Sequence, residues 1–488
     1  MFQLFHLSAD KSTNLQQQLR EQIAQVILNG NIPLDNPLPS SRKLAKQLNI
    51  ARNTVVLAYE HLLDDGYLLA RERSGYYVNP AILGRKVETP RAHPDETVVT
   101  QQDWSQRLVM QPSQQRNMSK PRDWQNYKYP FIYGQFDPAL FPTANWRECC
   151  RDAVSIPAIR DWASDRFDND DPLLMEQIRT RLLPRRGVWA SPEQILVTVG
   201  AQHALYMLAR LLLRSDSVMG IEEPGYVDVR NIAMLNPSRV QALAVDNQGL
   251  MLSDELNGCD LIYTTPSHQC PSTVTMPLER RYELLQRANE HDFLIIEDDY
   301  ESETNFKRNP IPALKSLDKN DRVLYVGSLS KTLAPGLRVG YLVGPEALIR
   351  EARALRRLMV RHPAANNQRS VALFLERGYH DALVMSLMRA YEERHEQMGA
   401  ALREYLPESS KEPSFGGSCY WVKGPDSLDA RRLQKLAGEH DILIEPGDIH
   451  FFGEQPPLNY FRLGYSSIPA ERIRPGIKLL AELIQQIS

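Results

Sequence analysis

The 488-residue chain has few cysteines, and the five present (Cys149, Cys150, Cys259, Cys270, Cys419) are odd in number and lack metal-ligand spacing. A disulfide framework and a cysteine-based metal site are therefore excluded as organising features. The neighbours Cys149 and Cys150 read as two buried thiols at a helix start. No apolar run reaches about 18 uninterrupted residues, so no membrane span is expected. From Met1 to Leu7 the chain runs straight into polar sequence, without the basic stretch and apolar core of an export signal. A cytoplasmic protein is expected. Net positive charge is missing as well, the formal charge being −3. Any affinity for nucleic acid must then come from a local patch. The rest, 42% hydrophobic and 24% charged, is the composition of an ordinary globular chain. Its length calls for two or three domains.

One absence is local. Between Asn36 and Tyr59 there is no acidic residue, while Arg42, Lys43, Lys46 and Arg52 all fall there. Leu15, Leu19, Ile23, Val26 and Ile27 recur at helical spacing, and Gly30 closes that helix. Ser40 or Ser41 can cap a short helix that ends at Leu48. Asn49 and Ile50 make a tight turn, and a second helix runs from about Ala51 to Asp65 with Val55, Val56, Tyr59 and Leu62 inward. Residues 67–78 then alternate as a hairpin wing with Gly75 at its tip. Two short helices joined this way match helix-turn-helix geometry. Arg52, Asn53 and Thr54 open the second helix, where side chains and free N–H groups meet base edges and phosphate. Arg71 and Arg73 are placed on the wing to reach the DNA backbone or minor groove. The segment resembles the winged helix of the GntR superfamily through Leu38-Pro-Ser-Ser-Arg42, Arg52-Asn-Thr-Val and Ala58-Tyr59. That resemblance implies that Arg42, Arg52, Asn53, Thr54 and Gly75 line double-stranded promoter DNA.

Residues 1–80 thus read as the DNA-binding domain. Residues 81–122, with Pro90, Pro94, Pro112 and Pro121 among charged and glutamine-rich sequence, read as a linker. Trp104 and Leu108 are expected to dock already on the following domain, residues 123–488. There, near-continuous apolar runs (Ile195–Val199, Ser217–Ile221, Leu261–Thr264, Phe293–Ile296, Val323–Val326) alternate with helical stretches. The pattern predicts an α/β fold with a mostly parallel sheet covered on both faces. Ligands in such sheets gather at the carboxyl ends of strands.

Polar residues at those ends suit pyridoxal 5′-phosphate, which needs an amine for its aldehyde, a carboxylate for its ring nitrogen, donors for its phosphate and a flat neighbour for its ring. Lys331 supplies the amine of a Schiff base once desolvation leaves part of it neutral. Asp298 suits the ring nitrogen, and Tyr300, two residues on, the phenolic oxygen. Ala201 and Gln202 open a helix whose N–H groups face an anion. Ser328, Ser330 and Arg338 add hydroxyl and guanidinium contacts to the same phosphate. Tyr226, after a Pro-Gly turn, is the ring-stacking residue. No metal is expected.

The body from about Tyr127 resembles the fold type I aminotransferases, with a smaller C-terminal subdomain. With its GntR-like head the chain resembles the MocR/GabR family of transcriptional regulators. Its motifs are Phe136-Asp-Pro-Ala-Leu-Phe-Pro142, Glu223-Pro-Gly-Tyr226, Thr265-Pro-Ser-His-Gln269, Glu297-Asp-Asp-Tyr300, Ser328-Leu-Ser-Lys331 and Arg462-Leu-Gly. The likeness implies that Arg462 clamps the carboxylate of an amino-compound effector, for which a bidentate guanidinium is suited. It also implies a bacterial, nucleoid-associated, domain-swapped homodimer. Two departures stand out. Asp168-Asn-Asp-Asp-Pro-Leu-Leu-Met175 lacks a usual glycine, and Thr273 stands where glycine often follows. The asparagine that meets the cofactor oxygen in aminotransferases is missing, so His268 or Gln269 is expected in its place. These changes count against efficient turnover. The expected function is a pyridoxal-phosphate-dependent regulator that senses an amino compound, or the cofactor itself, through exchange at Lys331. The alternative is an active aminotransferase with an accessory DNA-binding domain.

Overall fold

The computed structural model describes residues 5, 7, 14–83, 102–165, 168–301, 303, 305, 306, 311–329, 331–407 and 416–487. Two compact units divide between Arg107 and Leu108. No described helix is long and apolar enough to cross a membrane.

In the first unit, α1 (Leu15–Leu28), α2 (Ser41–Leu48) and α3 (Arg52–Asp64) are followed by the hairpin β1 (Leu68–Arg71) and β2 (Gly75–Val78). Of the two candidate caps it is Ser40 that closes α2, its hydroxyl accepting from Lys43 N at 3.3 Å. Asn49, at φ 53, turns the chain out of α2 in the left-handed conformation that asparagine tolerates. Leu19, Ile23, Leu44, Val55, Tyr59, Leu62 and Leu68 form the core of this unit. The Tyr59 hydroxyl donates to Pro39 O at 2.9 Å, holding the approach to α2 against α3. Arg71 pairs with Gly75, so the turn itself is Glu72–Ser74. Gly75 (φ 108) opens the second strand, and Arg73 (φ 59) takes the left-handed position at the tip.

The second unit holds an eight-stranded sheet. In chain order after the short β3 (Tyr129–Pro130) its strands are β4 (Ile195–Thr198), β5 (Val218–Glu223), β6 (Arg239–Asp246), β7 (Gly249–Leu250), β8 (Leu261–Thr264), β9 (Leu294–Asp299), β10 (Val323–Ser328) and β11 (Gly340–Val343). Their spatial order is β4-β11-β10-β9-β8-β5-β6-β7. Pairings across β10-β9-β8-β5-β6 are parallel, and β11 is antiparallel to both its neighbours. Strand alternation sends Leu196, Ile296, Leu324 and Leu342 into one core, against the helix Ala201–Leu212. Ile195, Val197, Tyr325 and Val343 enter another on the opposite face, and Ile262, Ile295 and Val323 pack with helix Leu278–Glu290. Burial on both faces explains the continuous apolar runs. A small subdomain adds β12 (Cys419–Lys423), β13 (Ile442–Leu443), β14 (Glu445–Pro446) and β15 (Tyr460–Gly464). Within it β15 lies between β12 and β14, and β13 pairs with β3.

Two local readings change. Cys149 and Cys150 lie well inside helix Thr143–Ala153, and only Cys149 is buried. Trp104 and Leu108 are 65% and 54% exposed, and Leu108, the first residue of the second unit, is not packed into it. Attachment to the second unit instead begins with polar residues further on. Gln115 Nε2 donates to Asn231 O at 2.9 Å, Arg116 pairs with Asp448 at 2.5 Å, and Lys120 meets Glu445 at 3.3 Å. Hydropathy points to the two apolar residues, but complementary charges elsewhere in the chain decide the attachment, and a local window does not register them. The proline-rich stretch 84–101 lies outside the described residues.

Candidate functional site

The site lies at the carboxyl ends of the parallel strands, in a cavity of ≈ 190 Å³. Of the residues expected there, Ala201, Gln202, Tyr226, Asp298, Tyr300, Ser328, Lys331, Arg338 and Arg462 all line it. Ser330 lies outside the described residues.

Sheet pairing explains how Lys331 and Arg338 come together. Ser328 at the end of β10 pairs with Gly340 at the start of antiparallel β11, so the loop between them is pinned at both ends. Leu329 N donates to Val339 O at 3.1 Å and tightens its neck. Arg338 then reaches back to Val199 O at 3.1 Å. Its guanidinium lies against Gly200, where a Cβ would stand 2.7 Å from Nη2. Only a glycine there, at φ +76, lets the guanidinium and the first N–H groups of helix Ala201–Leu212 share one side of the cavity.

Lys331 is half-buried, and desolvation by the surrounding protein lowers its pKa to about 8, with Lys120 and Arg462 contributing in the same direction. Its Nζ lies 3.9 Å from the centre of the Tyr133 ring. Gly134 has no side chain to obstruct it, since a Cβ there would stand 2.6 Å from Nζ. Opposite, Asp298 accepts from the Tyr263 hydroxyl through Oδ2 at 2.9 Å. Its Oδ1 is buried without a partner among the described residues. Burial pushes this carboxyl up to about 7, against the pull of the Tyr263 hydroxyl. The flanking acids serve the scaffold. Glu297 accepts from Leu314 N (2.7 Å) and Lys315 N (2.8 Å), and Asp299 is bound by Arg186 Nε and the Tyr325 hydroxyl, both at 2.7 Å.

Neither residue expected to replace the missing asparagine faces the cavity. Gln269 Nε2 is turned to Glu222, Pro224 O and Cys270 O, and His268 lies 3.2 Å from the buried Glu301. Cys270 lines the cavity instead. Burial pushes its thiol up to about 12, so it is a neutral and weak donor where an amide would be a strong one. Thr273 keeps the left-handed turn usual for glycine, at φ 65, an arrangement that costs an L residue roughly 1–2 kcal/mol. In place of the other missing glycine, Asp171 caps helix Pro172–Gln177 by accepting from Leu174 N at 3.0 Å, and Asp170 is buried against Arg353 and Arg356.

Met118, Tyr133, Gly134, Tyr263 and Pro335 also line the cavity, and the sequence reading did not identify them. Tyr263 had a signal, as a polar-tipped residue near the carboxyl end of an apolar strand. Met118 and Tyr133 had none, because only the folded chain brings residues so distant along it to this place.

In the first unit the residues expected to line DNA are mostly accessible. Arg42, Arg52, Asn53 and Gly75 are exposed and Thr54 is half-buried. The N-cap of α3 is Ala51, which has no side-chain oxygen for the first N–H groups of the helix. Arg52 Nε donates to Ser41 Oγ at 3.4 Å, linking the two helices of the motif.

An amine with a lowered pKa, a buried carboxylate oxygen awaiting a donor, and a glycine-backed guanidinium at a helix start fit pyridoxal phosphate. Comparison with known proteins agrees. The family described as "Aminotransferase class I and II" matches residues 168–478, and "Bacterial regulatory proteins, gntR family" matches residues 15–78. The chain is 40% identical to the HTH-type transcriptional regulator TauR of Rhodobacter capsulatus, over 99% of each chain. It is 31% identical to the probable rhizopine catabolism regulatory protein MocR of Rhizobium meliloti, over 97% of this chain and 94% of that one. Among solved structures it is similar to LysN, the alpha-aminoadipate aminotransferase of Thermus thermophilus, complexed with N-(5′-phosphopyridoxyl)-L-leucine. That likeness has a TM-score of 0.70 at 25% identity and covers 79% of this chain and 99% of that one. Pyridoxal phosphate is the cofactor of the second unit. By its two matched domains and its end-to-end likeness to these regulators, the chain belongs to the MocR/GabR family of transcriptional regulators.

Proposed function

We propose that the second unit senses a small amino compound at Lys331 and that its occupancy alters promoter binding by the first. The observation that carries this reading is the convergence of Lys331, Asp298, Arg338 and Arg462 on one cavity. When bound, pyridoxal phosphate supplies an aldehyde carbon that joins reversibly to an amine. Lys331, about a tenth neutral at pH 7 given a pKa of about 8, is the resident amine for that carbon. Asp298 Oδ1 would accept the N–H of a protonated ring nitrogen and keep it protonated, and Tyr300 would serve the phenolic oxygen. Arg338, Ser328 and the N–H groups at Ala201 and Gln202 hold the phosphate, and Tyr226 covers the ring. Arg462 receives the acid group of an incoming amino compound that competes with Lys331. Cys270, a poor hydrogen-bond donor lining the same cavity, would favour binding over rapid turnover. In this reading two copies pair as a domain-swapped homodimer, for which the exposed Val154, Ile156 and Leu358 supply apolar surface.

The full-length, cofactor-loaded protein is to be titrated with a panel of amino acids and amines, following its absorbance and its affinity for promoter DNA by fluorescence anisotropy. At least one compound should change the spectrum and shift DNA affinity by about 5–150-fold, the range of ordinary allosteric coupling. Spectral change with steady keto-acid production and no shift on DNA would instead establish the accessory-domain aminotransferase. A shift caused by pyridoxal phosphate without any amine would make the cofactor itself the signal.

DNA reading is assigned to α3. Replacing Arg52 with alanine should weaken promoter binding by about 1–3 kcal/mol through loss of a base-edge contact. Unchanged affinity would show that α3 does not enter the groove.

A further inference from the structure

Lys331 lines two cavities. One is the ligand cavity described above, and the other is a small neighbour of ≈ 10 Å³ bounded also by Glu301, Tyr391 and Ser418. Such a volume is about the room one water needs, and an ammonium group is of similar size. Gly134 and Pro335 belong to both linings, so Lys331 stands where the two cavities adjoin.

The small cavity is furnished for a cation. Glu301 follows Tyr300 beyond the end of β9, and its side chain is 1% exposed. His268, which does not line this cavity, places Nε2 at 3.2 Å from Glu301 Oε2. Its ring fits there because Gly417 has no side chain: a Cβ would stand 2.3 Å from His268 Cε1. Burial lowers the His268 pKa, so the ring is neutral and brings no full positive charge to the carboxylate. Desolvation also lowers the Lys331 pKa, and Glu301 is the foremost charge opposing that. Next to Gly417, the Ser418 Oγ is buried with no hydrogen-bond partner among the described residues. The backbone here is fixed, since Tyr465 N donates to Ser418 O and the Tyr465 hydroxyl to Gly417 O, both at 2.8 Å. An unpaired buried hydroxyl is costly, and an ammonium has three donors with which to satisfy it.

We propose that Glu301 and Ser418 form a berth for the ammonium of Lys331 once an amino compound has taken its place on the cofactor. In that exchange the carbon–nitrogen double bond to Lys331 breaks as one to the incoming nitrogen forms, and nothing is oxidised or reduced. The incoming nitrogen sheds the hydrogens that Lys331 Nζ gains, so one ammonium enters and another is released. Glu301 pairs with the released charge, Ser418 Oγ accepts one of its hydrogens, and the Tyr133 ring centre lies 3.9 Å from Nζ. An ammonium left alone in this desolvated place would drive the exchange backwards. Glu301 and Ser418 are thus positioning residues that set how far an amine can displace Lys331. This inference rests on the exchange proposed above.

The groups around this pair are Tyr133, Tyr300, Tyr391, Tyr465, Cys270 and Cys419, each kept protonated by the burial that pushes its pKa up, and Arg462, which stays charged. Asp298, raised by burial to about 7, and Lys120, lowered by burial, are common to parent and variants, so a difference between pH profiles reads Glu301.

The test uses the full-length protein. Attachment of pyridoxal phosphate to cofactor-free protein is followed by absorbance from pH 6 to 9, and displacement of Lys331 in loaded protein is titrated with methylamine. Removing a negative charge beside an amine lowers its pKa, so Glu301→Gln should move the attachment midpoint down by about one pH unit. Half-displacement at pH 7 should then need about fivefold more methylamine, because the parent's released ammonium is no longer favoured. Glu301→Asp should restore most of the midpoint, and Ser418→Ala should raise the methylamine requirement severalfold. Thermal unfolding verifies that each variant is folded. If Glu301→Gln does not fold, Ser418→Ala carries the test, and an unchanged methylamine requirement there overturns the berth. An unmoved midpoint in folded Glu301→Gln, or a rate lowered equally at every pH, overturns it also while leaving the exchange reading intact. If the parent neither attaches pyridoxal phosphate nor yields it to methylamine, exchange at Lys331 falls and the berth falls with it.

Discussion

Lys331→Ala is expected to abolish all borohydride-fixable attachment of pyridoxal phosphate while leaving reversible binding measurable. Among the described residues the other lysine near the cavity, Lys120, is engaged by Glu445 and by Tyr133 O. The phosphate contacts proposed for Arg338 and the helix start do not involve Lys331, so they should survive the substitution. Mass spectrometry after reduction should therefore show no cofactor adduct in the variant and one per chain in the parent. An undiminished adduct would disprove the assignment. Attachment in the parent should also depend on pH in a defined direction. Because burial places the Lys331 pKa at about 8, the neutral amine grows as pH rises, and the rate of attachment to cofactor-free protein should increase from pH 6 to 9 with a midpoint near 8. A rate that falls over this interval would contradict an amine nucleophile with that pKa.

The second large effect is on stability. Arg186 and Asp299 form a buried ion pair at 2.7 Å, their side chains 7% and 0% exposed. Arg186 also donates to Ser267 Oγ at 2.7 Å and Ile311 O at 3.0 Å, so its charge is well satisfied. Burial alone would raise the Asp299 pKa, but Arg186 and the Tyr325 hydroxyl hold it below the usual carboxylate range. Removing one partner strands the other, and Arg186→Ala should destabilise the second unit by about 3–5 kcal/mol. The paired replacement Arg186→Met with Asp299→Leu should recover a substantial part of that loss, since no charge is then left buried. Urea unfolding followed in the second unit provides the measurement. A single-variant loss under about 1 kcal/mol would mean that water reaches Asp299 and that the pair is not desolvated.

What the sequence revealed followed from periodicity and chemistry confined to short windows. The strands ending at Thr198, Asp299 and Ser328 were legible because burial on both faces leaves an unbroken apolar run. Strand β6 (Arg239–Asp246) was not, because it lies near the sheet edge and its mixed exposure reads as a loop. Lys331 was legible because it follows such a strand, and Asp298 because it stands at the carboxyl end of one. Cys270 was passed over because a lone thiol carries no recognisable chemistry, and attention went to the more polar His268 and Gln269. Their burial against Glu301 and Glu222 depends on partners remote in the chain. Met118 and Lys120 were hidden for the same reason, within a stretch whose prolines and glutamines resemble a free tether.

Strand β9 is hydrogen-bonded on both sides, Ile296 pairing with Tyr263 on β8 and with Leu324 on β10. Three successive acids, Glu297, Asp298 and Asp299, point alternately from this strand. Sliding it by a single position would carry a scaffold acid into the ligand chamber and turn Asp298 toward Arg186. Insertions and deletions in the preceding helix–strand connection thus cannot be absorbed by slippage here and must be taken up before Leu294. Mutational scanning of length variants should find a sharp boundary of tolerance at that residue, set by the arithmetic of odd and even positions.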